Sequence, residues 1–255
     1  MPLQHNHKQQ KQIQMKKILR PFYLLYQLFA WPVAGIATMF AGLSISLFGK
    51  YIPVKRGDYF PAAIWAKIMV RLFLLPIKIE GRENLDPNQN YIFIANHQGS
   101  WDVFMMFGYI GRNFKWMIKD SLRKAPFIGR GCYDTGHIFV NRSQPQKEVF
   151  VKAVRILRGG TSMGVFAEGT RTRTGRLGEF KKGAFVIADM TQVPVVPVAI
   201  EGSYDLLPPK AWFMNWTPLK MTIMKPIAPI GKGKENVEYL MTESRAAIAK
   251  ALGEE

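Results

Sequence analysis

At residues 96–102 the chain reads NHQGSWD, directly after the apolar run YIFIA. This sets His97 and Asp102 five positions apart, across a turn that holds Gly99 and Ser100. Imidazole, the side chain that titrates nearest neutral pH, suits general-base work. A carboxylate that takes its Nδ1 proton fixes the tautomer and leaves the other ring nitrogen free. If YIFIA is a strand ending near Ala95 and a helix starts at Ser100 or Trp101, Asp102 lies in the first helical turn and can reach back to the ring. The same spacing accommodates a plainer arrangement, with Asp102 capping the helix and His97 satisfying a backbone group. Ser100 reads as a helix cap bonded to the backbone rather than as a nucleophile.

Two further strand ends carry charge. GHIFVNR, residues 136–142, delivers Arg142 to the carboxyl end of an apolar run, and VFAEGTRTR, residues 165–173, opens into Glu168, Gly169, Thr170, Arg171 and Arg173. A guanidinium fork matches phosphate oxygens in pairs, and a glycine lets backbone N–H groups approach an anion closely. Phosphate binding is the economical reading; a single loop arginine is more commonly solvated or paired with an acid. GTSMG, residues 160–164, matches the G-x-S-x-G nucleophile elbow, but that device needs a strand before the serine and a helix after it. Here the order is reversed, so Ser162 is expected in a loop.

These groups need elements to hold them. Short apolar runs predict strands at 77–80, 91–95, 137–141, 163–167, 195–200 and 221–224, with helices at 101–109, 146–157, 183–190 and 236–252. Such alternation implies an α/β domain with a mainly parallel, mixed sheet covered by helices on both faces. Loops at the carboxyl ends of such strands are where ligands bind.

The amino-terminal part differs in kind. Residues 1–20 form a basic arm without acids, and the 29 positions from Pro21 to Gly49 hold no charged residue. That exceeds the ~20 apolar residues a helix needs to cross a bilayer core. Pro32 and Gly35 are expected to kink the segment or break it in two. Lys50, Lys55 and Arg56 follow the run as closely as the basic arm precedes it, so a re-entrant segment with both ends on the cytoplasmic side satisfies the positive-inside rule, while a tilted single span is the alternative. Residues 59–79 form a second apolar stretch with Lys67 and Arg71 one helical turn apart. It reads as an interfacial helix, or else as a soluble helix packed on the sheet. The chain thus divides into a basic arm (1–20), a helical membrane-anchoring region (21–76) and an α/β domain that carries the candidate catalytic groups (77–255).

Composition narrows the functional classes. With 255 residues and 48% hydrophobic content the chain can fill a large core. Its 35 Lys and Arg against 18 Asp and Glu leave a net charge of +17, which calls for an anionic counterpart. No nucleic-acid recognition module is present, so anionic lipid accounts for the charge better. The single cysteine, Cys132, excludes an internal disulfide, a thiolate zinc site and a Cys-x-x-Cys redox pair.

Taken in order, NHQGSWD, GHIFVNR, FAEGTR and VPVVPVAI resemble the four sequence blocks of the glycerolipid acyltransferases, in particular the bacterial 1-acylglycerol-3-phosphate acyltransferases. The likeness covers roughly residues 77–202, and IKIEGRENL at its start is similar too. The resemblance implies acyl transfer from a thioester, on coenzyme A or acyl carrier protein, to the free sn-2 hydroxyl of lysophosphatidic acid. The product would be phosphatidic acid for phospholipid synthesis. It implies a bacterial inner-membrane enzyme with its site facing the cytoplasm, and no metal or other cofactor. Glycerol-3-phosphate and larger lysophospholipids are the alternative acceptors, and a non-catalytic anionic-lipid binder is the alternative of another class. By the resemblance His97 is the base and Asp102 its orienter, with backbone N–H groups near Gly99 and Ser100 as oxyanion donors. Lys119, Arg142, Glu168, Gly169, Thr170 and Arg171 hold the acceptor phosphate. Pro194 and Pro197 help to shape an acyl channel. Ala167 stands where the family usually has proline, a departure expected to loosen the phosphate loop.

Overall fold

The computed structural model describes residues 2–48, 59–141 and 147–254, with side chains described from residue 18 onward apart from 46, 48, 59 and 60. Helix α1 (Pro2–Phe48) and helix α2 (Tyr59–Leu72) precede seven strands: β1 (Ile77–Glu80), β2 (Ile92–Ala95), β3 (Phe114–Lys119), β4 (Ile138–Val140), β5 (Ser162–Phe166), β6 (Val195–Glu201) and β7 (Leu219–Ile223). Between and after the strands lie α3 (Trp101–Tyr109), α4 (Ile128–Asp134), α5 (Lys147–Arg158), α6 (Gly183–Thr191), α7 (Ser203–Leu206) and α8 (Lys234–Leu252).

The strands form one sheet in the order β1-β7-β6-β2-β5-β3-β4. β6, β2, β5, β3 and β4 run parallel, whereas β7 is antiparallel to β6 and carries β1 parallel to itself. The mainly parallel α/β sheet expected from the alternation is therefore present. Successive side chains of a strand face opposite ways, and the two cores follow that rule. Phe93 and Ala95 join Val196, Val198 and Ile200 under Ala66 and Met69 of α2 and Trp101 and Met105 of α3. Ile92 and Ile94 face the other way, with Val195 and Ala199, onto Leu157 of α5, Phe185 of α6 and Leu240 of α8.

Strand β3 escapes the sequence reading because Lys115 and Lys119 break up an otherwise apolar run. Phe114 and Trp116 nonetheless alternate with Lys115 and Met117, which is the period of a strand. Lys115 is buried, and burial alone pulls its ammonium down to a pKa of about 8. Helix α4 and the short α7 are likewise unanticipated, since neither is long enough to show a helical period.

Helix α1 passes unbroken through both Pro21 and Pro32, so the break expected at Pro32 and Gly35 does not occur. The boundary drawn between residues 20 and 21 falls inside this helix. The stretch from Ile18 to Ile45 is long and apolar enough to cross a membrane. One side of it is fastened to the body: Tyr23 and Tyr26 donate to the carbonyls of Phe73 and Leu72, and Trp65 Nε1 donates to Thr38. Helix α2 packs through Ala62, Ala66, Met69 and Val70 into the sheet's core, while Ile64 and Ile68 stay exposed. It ends at Leu72, and the rest of the second apolar stretch turns into β1. Lys50, Lys55 and Arg56 lie outside the described residues.

Candidate active site

Strands β2 and β5 are neighbours, with Ala95 paired to Phe166, so their carboxyl ends open side by side. Asn96, just past β2, seals the floor: its amide donates to the Ile200 carbonyl at 2.9 Å and accepts the Ile200 N–H at 2.8 Å. Buried amides that use both ends in this way are costly to disturb, and this one locks the exit of β2 to β6. The chain then turns at residues 97–100 and enters α3.

Within that turn His97 Nδ1 lies 2.8 Å from Asp102 Oδ2. Asp102 is fully buried and the imidazole nearly so, with 16% of its side chain exposed. A carboxylate only accepts, so the Nδ1 proton points at Asp102 and the Nε2 lone pair is left free. The same Oδ2 also accepts the Gly99 N–H at 2.8 Å. Asp102 thus holds the imidazole and also closes the turn; the N–H it accepts lies ahead of α3, so this second bond is not the helix cap of the plainer arrangement. The Gly99 N–H is committed to this bond. Glycine is required there for room: a Cβ would stand 2.5 Å from Ser203 Oγ. Ser100 occupies the position before α3 but makes no side-chain cap bond. Its Oγ instead accepts from Arg171 Nη1 at 2.8 Å.

The loop after β5 is braced against this turn. Glu168 Oε1 accepts the His97 N–H at 2.8 Å and Oε2 accepts the Gly178 N–H at 3.0 Å. The His97 carbonyl accepts the Thr172 N–H at 2.8 Å. Burial raises the Glu168 carboxyl's pKa, with the two N–H bonds pulling the other way. Both oxygens accept backbone N–H groups, so Glu168 ties the two loops together. Gly169 has φ +74°, a left-handed conformation that favours glycine. It turns the chain so that Thr170 and Arg171 emerge exposed beside Ser100. Ala167 donates its N–H to the Ala95 carbonyl at 3.1 Å. Proline has no N–H to give, so alanine here adds a rung between β2 and β5 where a looser loop was expected.

Lys119 ends β3, one strand beyond β5 and at the same edge of the sheet. Arg142 lies outside the described residues. Pro197 sits within β6, paired with Ile94, and Pro194 immediately precedes that strand. Ser162 is the first residue of β5, not a loop residue, and its buried Oγ accepts the Tyr91 N–H at 3.0 Å. It is thereby removed from any nucleophilic role. Among the described residues no group of three or more His, Cys, Asp or Glu is placed to hold a metal ion. Two partners of the site were not read from the sequence. One is Glu168 as a brace; the other is Phe166, whose ring stacks on His97 with centroids 3.9 Å apart. Position was the available signal for Phe166, as the last residue of a strand next to the one that delivers the histidine.

The arrangement holds a base with a free lone pair, fixed from three sides, beside an exposed arginine. Comparison with known proteins adds to this geometry. Residues 76–201 match the model of the family described as Acyltransferase. A chloroplastic 1-acyl-sn-glycerol-3-phosphate acyltransferase of Arabidopsis thaliana is 31% identical over an alignment of 229 residues that covers 86% of this chain and 62% of that protein. An uncharacterized acyltransferase of Schizosaccharomyces pombe is 32% identical, covering 78% of this chain and 73% of its own. The crystal structure of the 1-acyl-sn-glycerophosphate acyltransferase from Thermotoga maritima superposes with a TM-score of 0.77 at 25% identity, over 91% of this chain and 96% of that one. The chain spans about three fifths of that chloroplastic relative and of a second one, from Brassica napus, 62% of the first and 59% of the other.

Proposed function

Because this chain belongs to the acyltransferase family, we propose that it carries a fatty acyl group from a thioester of coenzyme A or acyl carrier protein to the sn-2 hydroxyl of lysophosphatidic acid. The single observation that carries this reading is the His97 to Asp102 bond at the shared mouth of β2 and β5, with Arg171 tethered to the same turn. His97 Nε2 takes the hydroxyl proton as the acceptor oxygen attacks the thioester carbonyl. The tetrahedral intermediate collapses with cleavage of the carbon–sulfur bond, and the imidazolium returns the proton to the leaving thiolate. One ester and one thiol form from one thioester and one alcohol. Direct transfer of this kind needs aligned substrates and a base, without an enzyme nucleophile or a metal.

Arg171, Thr170, Lys119 and Arg142 are the groups we assign to the acceptor's phosphate. Arg171 is the best supported of them, because its bond to Ser100 Oγ holds the guanidinium beside the base. The apolar Ile18–Ile45 stretch supports attachment to a bilayer, where the acceptor lipid resides. We place the enzyme at the bacterial inner membrane with the site facing the cytoplasm, its basic surface set against anionic lipid.

Purified full-length protein, assayed with both donor types against lysophosphatidic acid, glycerol-3-phosphate and a lysophospholipid of larger head group, tests the reading. The expected outcome is transfer to lysophosphatidic acid, abolished in His97→Ala with vesicle binding retained. Wild-type turnover in that variant would sink the base assignment. Preference for another acceptor would reassign the substrate.

A further inference from the structure

The segment between α7 and β7, LPPKAWFMNWTP (residues 207–218), exposes three aromatic rings that serve neither core. Trp212 is 88% exposed, with Phe213 and Trp216 beside it at 43% and 42%. The segment is nevertheless firmly built. Gln27 of α1, fully buried, brackets Met214 by donating to its carbonyl at 2.9 Å and accepting its N–H at 2.7 Å. Trp216 Nε1 donates to the Leu74 carbonyl, and Asn215 bonds Leu206 through its N–H and Asp205 through its side chain. The loop is thus fastened to α1 and to the turn after α2, so its rings are held outward by design of the backbone.

Those rings continue an apolar surface. Trp31 of α1 joins Leu207, Ala211, Trp212 and Phe213 in lining an open cavity of about 480 Å³. Beyond Trp31, α1 shows Ile18, Phe22, Leu25, Phe29, Ile36, Phe40, Leu43 and Leu47, all exposed and all separated by three, four or seven positions. That spacing is one face of a helix. Trp31 lies off that stripe, on the side of α1 that meets the loop, and the exposed Leu28, three positions from both Leu25 and Trp31, joins the two. Apolar surface extended in this way from a helix into a tryptophan loop is more than a water-facing protein usually carries.

We propose that residues 208–216 form a second membrane-contacting element, which seats Trp212 and Phe213 in the headgroup boundary alongside α1. Indole, with an apolar body and one N–H, collects at that level of a bilayer. Lys210 next to it supplies a cationic head for lipid phosphate, and the net charge of +17 draws the chain to anionic lipid. Lipid is favoured over a protein partner because the loop's surface joins, through Trp31 and Leu28, the exposed face of α1, whose Ile18–Ile45 stretch is long and apolar enough to cross a membrane.

The loop also reaches the catalytic turn. It begins where α7 ends, and α7 presses on Gly99 through Ser203 while Tyr204 donates to the Arg173 carbonyl. The depth at which Trp212 rests therefore sets the height of His97 over the lipid surface. This inference goes beyond the proposed acyl transfer and is tested apart from it.

Full-length Trp212→Glu and Phe213→Glu are compared with wild type for partition into vesicles of phosphatidylglycerol and phosphatidylethanolamine, with no acyl substrate present. Partition weakened roughly tenfold, with Trp212→Phe close to wild type, is the expected result. Turnover of an acceptor presented in vesicles should fall in parallel, while a short-chain acceptor soluble in detergent is turned over within about twofold of wild type. Unchanged partition of both glutamate variants overturns the proposal. So does a change in oligomeric state with partition intact, which would assign the surface to a second copy, and so does equal loss on both acceptors. Partition is read without any reaction, so a failure of the acyl-transfer reading leaves this result standing.

Discussion

The imidazole of His97 and the phenyl ring of Phe166 lie face to face, with centroids 3.9 Å apart and planes 7° from parallel. Trp116 stacks on the same phenyl ring at 4.6 Å. Rings from β3, from the end of β5 and from the turn after β2 thus form one stack, and the base at its end is held in plane by packing as well as by hydrogen bonds. In Phe166→Ala the ring gains freedom, and misalignment of this kind lowers kcat by about 10- to 100-fold. KM for the acceptor should change little, and Phe166→Tyr, which keeps a stacked ring, should restore most of the rate. Steady-state kinetics of the two variants decide this; loss in KM alone would assign Phe166 to substrate binding.

Asp102→Asn replaces an oxygen that accepts two N–H bonds by an amide that can donate to Nδ1 and so protonate Nε2 instead. The base then has its lone pair on the wrong nitrogen. By analogy with catalytic triads, kcat should fall on the order of 10⁴-fold with a folded protein. Circular dichroism and kcat measured together check it, and a loss below tenfold would show that Asp102 closes the turn without serving the base.

Arg171→Ala removes a group that touches Ser100 and faces the opening of the site. Lost ground-state binding raises KM without lowering kcat as much. We expect KM for a phosphorylated acceptor to rise by about tenfold or more, as for removal of one charge-assisted contact. A neutral acceptor analogue is the control; an equal loss there would remove the phosphate role.

Glu168→Ala should cost stability as well as activity. Its carboxylate is the acceptor for the N–H groups of both His97 and Gly178, and leaving such donors unpaired costs about 2 to 4 kcal/mol in total. Glu168→Gln retains one acceptor oxygen and should fall between. Thermal unfolding in detergent checks the ranking.

Stability should also fall on mild acidification. His137 is buried, its Nδ1 accepts the Trp116 N–H at 2.9 Å, and burial with nearby Lys115 and Lys152 holds its pKa down at about 3. The unfolded chain protonates this ring near its ordinary 6.5 and the folded chain does not. Stability is therefore complete above about pH 6.5 and is lost as pH falls toward 3, at up to about 1.4 kcal/mol per pH unit. His137→Asn keeps an acceptor that does not titrate and should flatten the slope between pH 6.5 and 5 in thermal unfolding scans.

Much of this was legible in the residues because it is local. His97 and Asp102 face each other across a single strand-to-helix turn, and five residues of spacing suffice to suggest it. β1 and α3 begin and end where their apolar patterns do, since those patterns are short-range. The break offered as one outcome at Pro32 does not occur because a proline in a helix packed through Gln27, Ala30 and Ala34 loses one hydrogen bond but keeps the contacts on either side, and packing outweighs that loss. β3 was hidden because a strand covered by both neighbours can bury Lys115, a charge that composition assigns to the surface.

By itself, then, the sequence determined the chemical inventory: a histidine with a carboxylate in reach, arginines after apolar runs, and an amino-terminal stretch too apolar for water. Which of those groups acts on which was decided by the sheet order. β2 and β5 are adjacent although β3 and β4 intervene in the chain. That adjacency turns Glu168 inward as a brace, lays Phe166 on His97 and brings Arg171 to Ser100. The physical reason is that hydrogen bonds and ring stacking act over a few ångströms of space, and only folding converts distance along the chain into distance between atoms.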